Sequence, residues 1–133
     1  MLPAFSQVEV MQNNSGTKLV VNGEDFIVNG MNWDYFPRGT NYSFSLWNQS
    51  DDFIKAALAA EMGLLKNMGV NTIRTYTGIQ PRWIQYIYEN YGIYTILNHS
   101  FGRYGLTLDG AWVPVTDYRN PKAKELLMSE VTA

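Results

Sequence analysis

The sequence predicts an α/β fold built on parallel strands, and three observations lead there. The run Met68-Gly69-Val70-Asn71-Thr72-Ile73-Arg74 is followed by a run of the same design, Tyr91-Gly92-Ile93-Tyr94-Thr95-Ile96-Leu97. Each reads as a helix closed by a glycine and followed at once by a short apolar strand, the rhythm of parallel α/β architecture. The connections are also asymmetric: short from helix to strand, and long from strand to helix in two of three units. In such folds ligands bind beyond the carboxyl ends of the strands. Function is therefore expected at Trp33-Asp34-Tyr35, Arg74-Thr75-Tyr76 and Asn98-His99-Ser100.

The elements follow in order. Residues 1–17 read as a tail. Ala4 and Ser6 have the small-x-small spacing of a leader-peptide cleavage site, a weak pointer to a secreted or periplasmic location. Lys18 to Val21, Asn22-Gly23 and Glu24 to Val28 form a hairpin signal, because Asn-Gly tolerates the positive φ angles of a type I′ turn. Phe26-Ile27-Val28 is expected to run on through Met31 as the first core strand. Residues 32–49 then form a long loop rich in aromatics.

Ser50 is a plausible helix N-cap, with Asp51 and Asp52 placed where carboxylates meet the positive end of the helix dipole. Phe53, Ala57, Leu58, Leu64, Leu65 and Met68 recur at helical spacing and are expected to be buried. Gly69 ends the helix, and Val70 to Tyr76 form the second strand. Pro81 opens the next helix, with Trp83, Ile84, Ile87, Tyr88 and Tyr91 inward, and Gly92 closes it. Ile93 to Leu97 form the third strand. Residues 100–119 read as a second long loop, and Asn120-Pro121 starts a third helix.

Composition narrows the function classes. The chain has 133 residues, net charge -2 and no cysteine, with 46% hydrophobic and 14% aromatic residues. Scattered Lys and Arg make no basic stripe, so no nucleic-acid partner is expected. No apolar run approaches the ~20 residues of a membrane span. With one histidine and no cysteine, no metal and no cofactor are expected. The first strand-to-helix loop lacks the glycine-rich phosphate fingerprint of dinucleotide folds. Asn-x-Ser sequons begin at Asn13, Asn41, Asn48 and Asn98, which means little in an Asn-rich chain.

The loops carry the chemistry. Flat aromatic faces suit sugar rings, whose C–H bonds pack on π surfaces while their hydroxyls bond at the rim. Trp33 and Tyr35 in the first long loop and Trp112 in the second are of this kind, although each also reads as loop packing. Arg74 ends an otherwise apolar strand; it either fixes a carboxylate or makes a structural ion pair. His99 reads equally as a site residue or a structural one. Glycoside cleavage usually needs two carboxylates, and no convincing pair is found. Asp34 stands near a strand end, Asp109 and Asp117 lie far along a loop, and Glu61, Glu89 and Glu125 are placed on solvated helix faces.

Three runs carry a family resemblance: Phe26 to Trp33, Leu65 to Tyr76, and Tyr91 to Leu97. Together they resemble the opening of a retaining glycoside hydrolase (β/α)8 barrel, of the family 2 and family 5 type. They are also similar to β-glucanosyltransferases. The resemblance implies a partial TIM barrel over 18–133, the first three βα units preceded by a β-hairpin. It implies that Arg74 orients the nucleophile and that His99 lines a sugar subsite, with Trp33 the aromatic after the first strand. The family's acid/base and nucleophile glutamates are expected beyond Ala133, so no catalytic residue is expected in this chain. Asn98 stands where many relatives carry an acidic residue.

The expected function is thus the N-terminal portion of a glycoside hydrolase or transglycosidase acting on a β-linked saccharide. Arg74 supports the site, and Trp33, Asp34, Tyr35, Tyr76, Asn98 and His99 bind substrate. A non-catalytic carbohydrate-binding module and a fragment of another α/β barrel enzyme are the alternatives. The partner expected is an oligo- or polysaccharide, with self-association through an open sheet edge.

Overall fold

A computed structural model of the chain describes residues 7–76 and 78–132, with Thr132 described by its backbone alone. The cleavage-site spacing at Ala4 and Ser6 lies outside the described residues. The fold is mixed α/β, with three α-helices and three small sheets among the described residues.

Two hairpins open the chain as an antiparallel meander of β1 (Val8–Asn13), β2 (Gly16–Val21) and β3 (Glu24–Phe26). The β2–β3 turn is the expected Asn22-Gly23, with φ values of 53° and 83°. The hairpin gains a strand that the sequence reading placed in the tail. β1 is exposed along its whole length, so it has no buried face to announce it.

The first core strand is shorter than expected. Phe26 ends β3, and pairing resumes in a different sheet at β4 (Gly30–Asn32). The break is held by two asparagines. Asn71 Nδ2 donates to the Ile27 carbonyl at 2.8 Å, while its Oδ1 accepts from the Asn29 backbone N–H at 2.9 Å. Asn29 Nδ2 in turn donates to the Gly69 carbonyl at 2.6 Å. Carboxamides donate and accept at once, so the pair serves backbone groups that no ladder satisfies.

A 3-10 turn over Leu46–Asn48 precedes α1 (Asp51–Asn67). Ser50 caps α1 as expected, its Oγ accepting from the Phe53 N–H at 3.4 Å. Met68 is the C-cap and Gly69 follows at φ 81°. The Val70 N–H reaches Leu65 O at 3.0 Å and the Gly69 N–H reaches Lys66 O at 2.9 Å, a Schellman closure. The buried stripe is Ile54, Ala57, Leu58, Met62 and Leu65. Phe53, Leu64 and Met68, expected inside, lie outside at 42%, 61% and 63% exposure.

β5 (Thr72–Thr75) pairs parallel with β4 and with β6 (Tyr94–Leu97), in the order β4-β5-β6. Between β5 and β6 runs α2 (Pro81–Tyr91), with Pro81 in its first turn and left-handed Gly92 at its C-cap. Trp83 and Ile87 are its buried residues. The helices cover one sheet face, where Ile73 is fully buried beside Ile54, Leu58 and Ile87. Strand alternation turns the next residue, Arg74, to the other face.

The stretch after β6 is not wholly loop. It contains the hairpin β7 (Leu106–Leu108) and β8 (Ala111–Val113), turning at Asp109-Gly110 with φ 51° and 80°. α3 (Pro121–Thr132) follows and packs on β7. Its first turn is capped by Asn120, whose Oδ1 accepts from the Lys122 N–H at 2.9 Å.

Among the described residues three parallel strands make an open arc, and no closed barrel is present. Among the described residues, β4 and β6 each pair only with β5. The meander lies at the amino ends of the arc, where Phe26 meets Tyr94 edge to face at 5.1 Å.

Candidate functional site

The register puts three polar side chains along the carboxyl edge. Asn32 ends β4 and stands opposite Arg74 of β5, while Asn98 follows β6 immediately. The ladder continues past the strands, with the Trp33 N–H on Arg74 O at 3.0 Å and the Asn98 N–H on Thr75 O at 3.1 Å. This backbone continuity fixes where the side chains emerge. Arg74 then donates to both neighbours: Nη2 to Asn98 Oδ1 at 2.7 Å and Nη1 to Asn32 Oδ1 at 3.4 Å. The guanidinium carbon also stands 5.2 Å from the Tyr76 ring centroid, a cation–π approach. Tyr76 is 42% exposed, so its ring remains open to solvent.

Beneath this lip, on the face away from the helices, lies a recess of about 320 Å³. Gly30, Asn32, Thr72, Arg74 and Ile96 line it. Gly30 keeps the recess open, since a Cβ there would come within 2.9 Å of Val28 Cγ1 and 3.4 Å of the Thr72 carbonyl. The amide oxygens at the lip are turned toward Arg74, while guanidinium N–H groups remain to be shared. No ion pair among the described residues includes Arg74, so the structural ion-pair reading of this residue does not hold there.

The other expected site residues go elsewhere. Trp33 is only 6% exposed. It packs on Trp47 at 6.2 Å and points its indole N–H at Glu61 Oε2, 3.4 Å away. A ring enclosed in this way offers no face to a sugar. Glu61, expected on a solvated face, is half-buried and serves that indole. Tyr35 packs on Phe44 and Phe53, each at 6.3 Å, holding the long loop to α1. Asp34 is exposed, and its Oδ1 accepts from the next backbone N–H at 2.9 Å.

His99 faces α3. Its Nδ1 accepts from the Phe101 N–H at 3.0 Å and its Nε2 lies 3.3 Å from Glu130 Oε2. A backbone N–H can only donate, so Nδ1 carries a lone pair and Nε2 carries the proton that reaches Glu130. Both ring nitrogens are thereby engaged. Asn32 and Glu130 are site residues that sequence reasoning missed; the β4–β5 register brings Asn32 to Arg74, and the docking of α3 brings Glu130 to His99.

No group of three His, Cys, Asp or Glu residues among those described could hold a metal ion. No helix among them is long and apolar enough to cross a membrane.

No protein-family model matches the chain, and no curated protein matches it. Among solved structures it is similar to the exo-β-D-glucosaminidase CsxA, at 20% identity and a TM-score of 0.49 over 94% of this chain. The chain spans 14% of the length of that enzyme's chain. A likeness of this size carries no argument about activity.

Proposed function

We propose that the chain supplies the substrate-contacting lip of a carbohydrate-active domain of glycoside hydrolase or transglycosidase type. The ligand in this reading is a β-linked oligo- or polysaccharide. One observation carries the reading: Asn32, Arg74 and Asn98 converge at the carboxyl edge of a parallel arc, beside the open ring of Tyr76. Guanidinium and carboxamide groups match vicinal hydroxyls, and an adjacent aromatic face takes the C–H side of a sugar ring. The likeness of the run Leu65 to Tyr76 to glycosidase barrels supports the same class.

Cleavage needs two carboxylates a fixed distance apart. In this reading they belong to sequence beyond these 133 residues, and the lip binds and orients substrate without turning it over. The unshared donors of Arg74 are suited to a carboxylate brought to the lip. The alternative of a purely binding module is favoured by one fact, that Asp34, the acid nearest the lip in sequence, makes only a local turn bond. The free edges of β4 and β6 are proposed to drive self-association of the isolated chain.

Calorimetric titration with a panel of β-linked tetrasaccharides tests the reading. At least one should bind, and Tyr76→Ala should weaken it by about two- to tenfold, the range of one lost aromatic contact. Binding to none of them, or affinity indifferent to Tyr76→Ala and Asn98→Ala together, would overturn it.

A further inference from the structure

A second cavity of about 320 Å³ opens behind the lip, between the segment after β6, the β7–β8 hairpin and α3. Leu106, Leu126 and Leu127 make its apolar side; His99, Ser100 and Glu130 make its polar side. Its wall is a tightly bonded loop. Thr116 Oγ1 donates to Gly102 O at 2.6 Å, the Tyr118 hydroxyl donates to Phe101 O at 2.9 Å, and the Arg103 N–H reaches Ser100 O at 2.9 Å. Gly102 sits at φ 71°, where a Cβ would meet Thr116 Oγ1 at 2.7 Å and Leu106 Cδ2 at 2.8 Å. The wall therefore stands in one closely fitted arrangement.

We infer that this cavity is a subsite for one neutral pyranose ring, with Glu130 as its hydrogen-bond acceptor and His99 as the residue that positions Glu130. The inference rests on the carbohydrate reading above and adds a place and a charge preference to it. The size lies at the lower end of small-molecule sites. Three leucines suit the C–H face of a ring. A carboxylate accepts only, and His99 Nε2–H occupies one side of it, leaving acceptor capacity for sugar hydroxyls. No lysine or arginine among the lining residues offsets the Glu130 carboxylate. An acidic sugar meets repulsion there, while a neutral one does not.

The test uses the 15N-labelled full chain titrated with methyl β-D-glucopyranoside and with methyl β-D-glucopyranosiduronate, followed by backbone amide shifts. The neutral glycoside should move amides around His99, Leu106 and Glu130, and the uronate should bind at least about fivefold more weakly. Glu130→Gln should weaken the neutral ligand by about fivefold, the loss of a charge-assisted acceptor, and should close the gap to the uronate. His99→Gln keeps an N–H donor for Glu130 and should retain that gap. Shifts confined to Asn32, Arg74 and Asn98, or a gap unchanged in Glu130→Gln, would overturn the subsite and leave the lip standing. No shift anywhere would overturn the subsite, while the lip is judged by the tetrasaccharide titration.

Discussion

Arg74 and Asn98 meet at 2.7 Å across neighbouring parallel strands, guanidinium to carboxamide, at the open edge of the sheet. The contact is charge-assisted and joins a residue inside β5 to the first residue beyond β6. Asn98→Ala removes the shortest hydrogen bond that holds the guanidinium. Half-exposed groups keep water as an alternative partner, so the expected cost is about 1 kcal/mol in urea unfolding. Saccharide affinity should fall further than stability, because an unheld arginine must be ordered on binding.

Trp33 is a structural residue, and its substitution separates packing from binding. Trp33→Ala should destabilise the chain by about 3–5 kcal/mol, the range for emptying a buried aromatic site. Trp33→Phe fills most of the space and leaves Glu61 without the indole N–H, so it should cost less. Equal stability of wild type and Trp33→Ala in denaturant melts would contradict the packing described.

The Asn71 side chain joins the end of the meander to the start of the parallel sheet through Ile27 and Asn29. Asn71→Ala removes two hydrogen bonds to backbone and should cost about 1–3 kcal/mol. Hydrogen exchange should quicken most at Asn29, whose N–H loses its acceptor. Uniform exchange changes over all three sheets would argue against a local clamp.

Asp117 supplies a pH signature. The Arg119 side chain, then the Arg119 backbone N–H, hold its carboxyl below the usual carboxylate value. A depressed folded pKa contributes stability above the unfolded pKa, and that contribution is lost as pH falls through the folded pKa. NMR titration of the Asp117 carboxyl carbon should give a midpoint below the ordinary aspartate value. Arg119→Ala should move it back up. The group is exposed, so the effect on global unfolding should be slight.

Local chemistry was legible in the sequence where a single residue type does the work. Ser50 caps α1, Pro81 opens α2, Gly69 and Gly92 end their helices, and Asn22-Gly23 turns the first expected hairpin. The parallel pairing of the three short strands follows the helix-glycine-strand rhythm. The break after Phe26 was not legible, because an unbroken apolar run conceals a change of sheet that two distant asparagines enforce. The β7–β8 hairpin left a readable signal, Asp109-Gly110 between apolar residues, which the surrounding glycines and prolines disguised as loop. The inward face of α1 was read partly onto its neighbouring face, since Phe53, Leu64 and Met68 are as apolar as Ile54 and Met62.

Of the site, Arg74, Tyr76 and Asn98 come together as the strand-end rule implies, while Trp33 and Tyr35 are absorbed by packing. Aromatic content alone does not distinguish a ring that faces solvent from one that faces a helix. Glu61 and Glu130 carry no local mark either, because their partners Trp33 and His99 are set by tertiary docking.

The account stands or falls on the carboxyl edge of the arc. Its most direct test follows backbone and side-chain NMR signals of the 15N-labelled chain during titration with the tightest-binding β-linked tetrasaccharide. The prediction is that Asn32, Arg74, Tyr76 and Asn98 shift together with one dissociation constant, while Asn29, Gly69 and Asn71 at the amino edge stay still. Shifts centred on the amino edge, or signals unmoved throughout, would contradict it.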